Sequence, residues 1–274
     1  MKILELIDKT TPFLKQKGVE APRLQIELLL SHILKLPRMA LYVQFERELT
    51  AAELDALRPL VKRRADREPL QHILGETNFY GESFFCGTEA LIPRPETETL
   101  VEWLLAALKE QSAGTLYDIG TGSGIIALTV AKQLPGWNIV GVDVSAGALA
   151  LARRNQERLA VTNVTWREHD LLPPADGDHV VVANLPYLTD AEMSALPAEV
   201  ARDPALALRG GADGLDLIRP LVAMTSEHTT RIFLETGAGH ADTVSGLLGN
   251  VGFSRLEIRK DLNNISRFIM GARR

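Results

Sequence analysis

The chain has 274 residues, 46% of them hydrophobic, with a net charge of −5 and a pI near 5.8. That length holds one α/β domain plus a small appendage, and the apolar content excludes long disorder. The acidic balance argues against a protein that coats nucleic acid. Cys86 is the single cysteine, which excludes an intrachain disulfide and a thiolate metal cluster, so no metal is expected. The charged start, Met1 to Lys9, lacks a signal-peptide core, and no apolar run approaches the ~20 residues of a membrane span. The expectation is a cytoplasmic monomer.

From Met1 to about Glu68 the pattern is helical. Leu4, Ile7, Phe13 and Leu14, then Leu24, Ile26, Leu28 to Leu30, Ile33 and Leu34, recur at helical spacing. Thr50-Ala51-Ala52-Glu53 has the form of a capping box opening another helix. His32 sits among leucines and is expected in the core. Lys62-Arg63-Arg64 with Arg67 reads as a solvated helix face. Pro69 and Gly75 punctuate the passage into Asn78 to Phe85, which has strand or hairpin character. The organisation expected is a helical domain over 1–70, a hairpin linker over 71–90 with its aromatics packed there, and an α/β domain over 91–274.

Ile92-Pro93-Arg94-Pro95 forces an extended approach to a helix whose first turn holds Glu96, Thr97 and Glu98. A short apolar strand, Thr115 to Tyr117, then runs into Asp118-Ile119-Gly120-Thr121-Gly122-Ser123-Gly124, and an apolar helix follows up to Pro135. Alternate glycines permit a sharp turn and bring backbone N–H groups close to a ligand. A second strand ends in Asp143, roughly 20 residues beyond the glycines, the spacing used to hold ribose hydroxyls. The third glycine comes one residue earlier than in the dinucleotide pattern, and the loop resembles the S-adenosylmethionine (SAM) loop of Rossmann-like methyltransferases. The cofactor-binding candidates are thus Asp118, Gly120, Thr121, Gly122, Ser123, Gly124 and Asp143.

Ser145 opens the next helix, and the strand Val164 to Glu168 delivers His169-Asp170-Leu171 to the carboxyl edge of the sheet. Asp170 is expected at the adenine amine, with Leu171 against the ring. The strand His179 to Ala183 then delivers Asn184-Leu185-Pro186-Tyr187. Pro186 holds Leu185 extended, so that its carbonyl points into the crevice. Asn184 supplies a second neutral acceptor and also borders the cofactor, while Tyr187 supplies a flat apolar face. Two such acceptors suit a planar –NH2 group, whose delocalised nitrogen becomes nucleophilic when oriented and pyramidalised. Asn184, Pro186 and Tyr187 are the catalytic candidates, and Asn184 to Tyr187 the substrate-binding ones. Further on, a long connection from Thr189 to Gly214 is expected over the crevice mouth. A helix over 216–226, a strand Thr230 to Glu235, a helix Ala241 to Leu248 and a late edge hairpin complete a mixed sheet.

These residues resemble the HemK/PrmC family, the protein-(glutamine-N5) methyltransferases of peptide chain release factors. The resemblance rests on Ile92 to Glu98, Asp118 to Gly124, Asn184 to Tyr187, Gly210-Gly211-Ala212-Asp213-Gly214-Leu215 and Arg259-Lys260-Asp261-Leu262, and covers essentially the whole chain. It implies a Rossmann-like SAM-dependent methyltransferase sheet with an N-terminal helical domain that helps grip the substrate. It also implies a glutamine amide, from the Gly-Gly-Gln tip of a release factor, held by Asn184 and the Leu185 carbonyl with Tyr187 packed on it. Arg94 and Glu96 would brace the wall. Two departures stand out: Leu185 replaces the usual first proline of Asn-Pro-Pro-Tyr, and His240 stands where relatives often carry glutamine. Asn-Leu-Pro-Tyr is also similar to the motif of adenine-N6 methyltransferases, so the alternatives are N6-adenine methylation of RNA or DNA, glutamine methylation of a ribosomal protein, and a SAM-binding module without turnover.

Overall fold

A computed structural model describes residues 1–273. The chain divides into two compact units, one of residues 1–76 with 197–202, the other of residues 77–196 with 203–274. The first unit holds α1 (Ile3–Gln16), α2 (Pro22–Leu34), α3 (Arg38–Val43), α4 (Ala51–Ala65) and α5 (Leu70–Leu74). Its core is built from the periodic apolar residues, among them Ile3, Ile7, Leu14, Ile26, Leu29 and Leu57. Each such side chain removed from water contributes about 2 kcal/mol. The capping box forms as expected, with Thr50 Oγ1 accepting from Glu53 N–H and Glu53 accepting from Thr50 N–H. His32 is half-buried, and burial lowers its pKa.

The basic run does not form a solvated face. Arg64 is only 2% exposed: it donates to Gln25 Oε1 (2.8 Å), to the Glu68 carbonyl (3.0 Å) and to Glu199 Oε1 (2.7 Å). Arg67 donates to the same Glu199 oxygen at 2.9 Å, and Arg63 pairs with Glu68. The acidic partner lies more than 130 positions downstream, beyond the reach of any periodicity argument.

The second unit starts with the hairpin β1 (Glu76–Phe79) and β2 (Glu82–Phe85), followed by α6 (Glu96–Leu108). Next come β3 (Gly114–Ile119), α7 (Ile125–Gln133), β4 (Trp137–Asp143), α8 (Ala146–Leu159), β5 (Val164–Glu168) and β6 (His179–Asn184). Then follow β7 (Leu188–Thr189), α9 (Asp190–Met193), β8 (Arg209–Gly211), α10 (Ile218–Met224), β9 (Thr229–Glu235), α11 (Ala241–Asn250), β10 (Arg255–Lys260) and β11 (Ser266–Ala272). The aromatics Phe79 and Phe84 belong to the main core of this unit, with Leu100, Trp103, Leu128 and Phe233, and not to linker packing.

The seven strands order as β10-β11-β9-β6-β3-β4-β5. β3 pairs in parallel with β4 on one side and with β6 on the other, so the chain winds outward to β5 and then reverses across β3. That reversal opens a crevice at the carboxyl ends of β3, β4 and β6, where ligands of open α/β sheets bind. The late hairpin closes the other edge antiparallel, as expected.

Removing the Arg64 head group leaves Glu199 with one partner and takes from the half-buried Gln25 its guanidinium donor. Arg64→Leu is expected to destabilise the full-length protein by about 2–4 kcal/mol in urea denaturation followed by circular dichroism, and Arg67→Leu by about 1 kcal/mol or less. Equal effects of the two changes would contradict the buried network.

Candidate active site

The glycine turn between β3 and α7 is held from beneath. Asp118 is fully buried, and its Oδ2 accepts from Thr121 Oγ1 at 2.6 Å and from Ala127 N–H at 3.0 Å, tying both ends of the turn together. Its other oxygen, Oδ1, has no protein partner, and burial pushes the carboxyl up to about 7. Gly120, Gly122 and Gly124 all have positive φ (70°, 56° and 81°), which side chains resist. Their N–H groups are not turned toward a ligand as the sequence led us to expect. Gly120 and Thr121 donate to the Val142 carbonyl, Gly122 to Asp143 Oδ2, and Gly124 to the Thr121 carbonyl. A phosphate-type cradle is therefore spent internally, and the glycines serve shape.

Above the turn lies a cavity of about 310 Å³. Gly120, Thr121, Gly122, Ser123, Asp143, Asp170, Leu171, Asn184, Leu185 and Pro186 line it. Asp118, Gly124 and Tyr187 do not line it; Gly124 packs instead against Trp166, Ala152 and Leu128. Asp143 accepts from Gly122 N–H (2.8 Å) with one oxygen and from Ser145 N–H (2.9 Å) with the other, so its place at the end of β4 is rigid. Leu171 adopts φ 59°, costly for a bulky residue, in the turn that presents it to the cavity.

The Asn184 turn faces the glycine turn across the strand reversal. Leu185 is buried and its Cδ2 lies 2.8 Å from where a Cβ on Gly120 would stand. The leucine that replaces the family's proline therefore packs on the glycine loop, and Gly120 must lack a side chain to admit it. Asn184 Nδ2 donates to Thr97 Oγ1 at 3.1 Å, and Thr97 Oγ1 donates to Glu235 Oε2 at 2.8 Å. Thr97 and Glu235 are almost fully buried, and Glu235 stands opposite Asn184 in the β6–β9 register. Burial pushes the Glu235 carboxyl up to about 7, against the hydrogen bond from Thr97 and the nearby Arg267.

The Gly-Gly-Ala-Asp-Gly segment has a concrete role. A methyl group on Gly210 would meet Tyr187 Cα at 2.7 Å and the Pro186 carbonyl at 2.8 Å, and one on Gly214 would meet the Tyr187 carbonyl at 2.4 Å. Its backbone grips the Pro186-Tyr187 turn at distances only glycine allows, helped by the β7–β8 pairing. The Tyr187 ring packs beside Gly237, near the imidazole of His240. Burial pushes the Tyr187 hydroxyl up to about 12.

Arg94 stands in the cavity wall, where it donates to the buried Asp203 Oδ2 at 2.7 Å. Pro204, Leu206 and Ala207, on the long connection, border the cavity as well. Asn155 escaped sequence reasoning altogether: fully buried on α8, it accepts from Phe85 N–H and donates to the carbonyls of Phe85 and Ser123, joining the hairpin to the glycine turn. His169 also lines the cavity; its position directly after β5 was the available signal.

Residues 5–75 match the family model described as the PrmC N-terminal domain, and residues 116–203 the one described as a methyltransferase domain. The chain is 44% identical to the release factor glutamine methyltransferase of Geobacter sulfurreducens, over 98% of this chain and 96% of the relative. It is 35% identical to that of Deinococcus radiodurans, over 100% of this chain and 99% of the relative. The chain belongs to the release factor glutamine methyltransferase family. Among solved structures, the hMettl16 catalytic domain in complex with an RNA hairpin superposes with a TM-score of 0.59 at 17% identity, covering 78% of this chain and 81% of that one. At that identity the likeness shows the shared methyltransferase fold.

The cofactor of this family member is SAM, and the lining residues fit it. Glu89, Asp143 and Asp170 set three carboxylates against the single guanidinium of Arg94, a balance suited to a sulfonium cation. The glycine loop offers no pyrophosphate cradle, and SAM has no phosphate to place there. No helix among the described residues is long and apolar enough to cross a membrane.

Two outcomes follow from this geometry. Asp118 has a folded-state pKa raised from 3.8 to about 7, so the stability it contributes is complete below its unfolded value and lost as pH rises through 7. Melting temperatures of the wild type measured against Asp118→Asn should fall between about pH 4 and pH 7 and then level off; a relative rise over that window would refute the assignment. Gly210→Ala should lower methyl-transfer kcat about 10- to 100-fold by displacing the Asn184 turn, with SAM affinity by calorimetry kept within about threefold.

Proposed function

We infer that this chain transfers a methyl group from SAM to the side-chain amide nitrogen of the glutamine in the Gly-Gly-Gln motif of peptide chain release factors. The observation that carries the reading is that Asn184, Leu185 and Pro186 line the same cavity as the glycine turn and Asp143. An amide acceptor, a backbone carbonyl and the cofactor loop thus converge on one space. SAM supplies an electrophilic methyl group when bound. Asn184 and the Leu185 carbonyl accept the two N–H bonds of the substrate amide, which orients its nitrogen and favours the pyramidal form. Pro186 stiffens the turn, and Leu91, Pro93 and Leu206 give the cavity an apolar wall. The Tyr187 ring, at the end of the turn, packs beside Gly237 and His240.

A protein substrate is favoured over a nucleic acid by the near-full-length relatives, which carry the name release factor glutamine methyltransferase. The helical unit, residues 1–76 with 197–202, is the part we assign to gripping the factor. The net charge of −5 is consistent with an enzyme that makes no direct use of nucleic acid.

The test is a transfer assay with labelled SAM offering a release factor, its Gly-Gly-Gln→Gly-Gly-Ala variant, ribosomal proteins and ribosomal RNA. Label is expected on the intact factor alone, with kcat reduced about 10²- to 10³-fold by Asn184→Ala. Label on RNA or on a ribosomal protein in place of the factor would overturn the assignment.

A further inference from the structure

A primary carboxamide has two faces of opposite character, and a catalytic asparagine works only if the correct one meets the substrate. Turned with oxygen toward the cavity, Asn184 accepts the N–H of the substrate amide. Turned the other way, it presents a donor to a donor. Nothing in the amide's own shape favours one sense, because its oxygen and nitrogen are nearly isosteric.

We propose that Thr97 and Glu235 are positioning residues that set the sense of the Asn184 amide: the Glu235 carboxylate takes the Thr97 hydroxyl proton, the Thr97 oxygen takes the Asn184 N–H, and the Asn184 carbonyl oxygen faces the substrate. The proposal rests on the function assigned above and adds the device that makes its key acceptor an acceptor. The direction follows from donor arithmetic. An ionised carboxylate only accepts, so Thr97 Oγ1, 2.8 Å away, must donate to it. With its one proton committed, Thr97 Oγ1 can only accept from Asn184, 3.1 Å distant. The inner two members of this hydrogen-bond chain are dry, Thr97 and Glu235 being 1% and 2% exposed, while Asn184 is half-buried at the cavity. In such surroundings a mismatched hydrogen bond is costly and the favoured sense is strongly selected.

The device depends on pH. When Glu235 is protonated it can itself donate to Thr97, the hydroxyl is free to turn its proton toward Asn184, and the amide can flip. The groups that govern this protonation are Arg267, which favours the anion, and Glu96, which opposes it, with Tyr187 also close by. Arg267 is in turn paired with Asp261 at 2.7 Å, which gives the Arg-Lys-Asp-Leu segment a link to the site. Burial dominates and brings the Glu235 carboxyl to about 7, so the acceptor-out sense gains population as pH rises through neutrality.

The orientation can be read without turnover, from the Asn184 side-chain NH2 resonances of the full-length ¹⁵N-labelled protein, identified by their loss in Asn184→Ala. In the wild type these signals should shift with a midpoint near 7; Thr97→Ser should keep that behaviour, and Thr97→Val and Glu235→Gln should abolish it. In turnover, Thr97→Val should lower kcat about 10- to 100-fold with SAM affinity within about threefold, and Thr97→Ser should stay near wild type. The wild-type kcat should rise with pH through about 7, and that limb should vanish in Glu235→Gln while surviving in Asp118→Asn. An Asn184 signal indifferent to Thr97→Val, or a pH limb that persists in Glu235→Gln, overturns the proposal. Should the wild type methylate no glutamine, the assigned function fails, and the resonance measurement still decides the orientation.

Discussion

The structure depends on one constraint, the parallel pairing of β3 between β4 and β6. In the pairing of β3 with β6, Ile119 stands opposite Ala183, so the glycine turn and Asn184 leave adjacent strands at the same edge of the sheet. Pairing with β4 sets Ile119 opposite Val142 and brings Asp143 to that same edge. Because all three strands run the same way, each must end where the others end, and the chain turns there three times. The glycine turn, Asp143 and the Asn184 turn are separated by tens of residues, and the strand register assembles them at one edge.

Close approach is the second theme, and it explains residues that chemistry alone does not. Leu185 occupies space that a side chain on Gly120 would need, and the Gly210 and Gly214 backbones press against the Pro186-Tyr187 turn. The turn is therefore gripped by two glycine segments, one before it in the chain and one after. The glycines of the cofactor loop act likewise: several of their N–H groups are used within the fold, and what they provide is a low, smooth floor.

Buried polar groups form the third layer. Asp118, Thr97, Glu235, Asn155 and Asp203 lie at or near zero exposure around the cavity; Asp118 closes the glycine turn on itself, and the other four tie segments distant in the chain. Burying such groups costs energy unless their hydrogen bonds are satisfied, so their concentration here marks where the fold gives up stability to hold a working geometry. The raised carboxyls of Asp118 and Glu235 record that cost.

The strands of the main sheet, the helices between them, the glycine turn, Asp143 and the Asn184 turn are legible in the amino-acid order, because each is a local pattern: apolar periodicity, a breaker, a polar residue ending an apolar run; the short β7–β8 pair and α9, inside the long connection, are not. The amino-acid order also carries the family resemblance, which rests on short contiguous motifs. Where Asp118, Tyr187, Arg64 and Glu235 sit, and what they touch, emerges only in the folded chain. Asp118 sits beneath the cavity and not in its lining, the Tyr187 ring packs beside Gly237, and Arg64 is buried by Glu199 in place of meeting solvent. Thr97 meets Glu235 across 138 positions. Contacts of that separation leave no trace in periodicity or spacing, since they are set by which strands pair and in what register, and those are properties of the folded sheet.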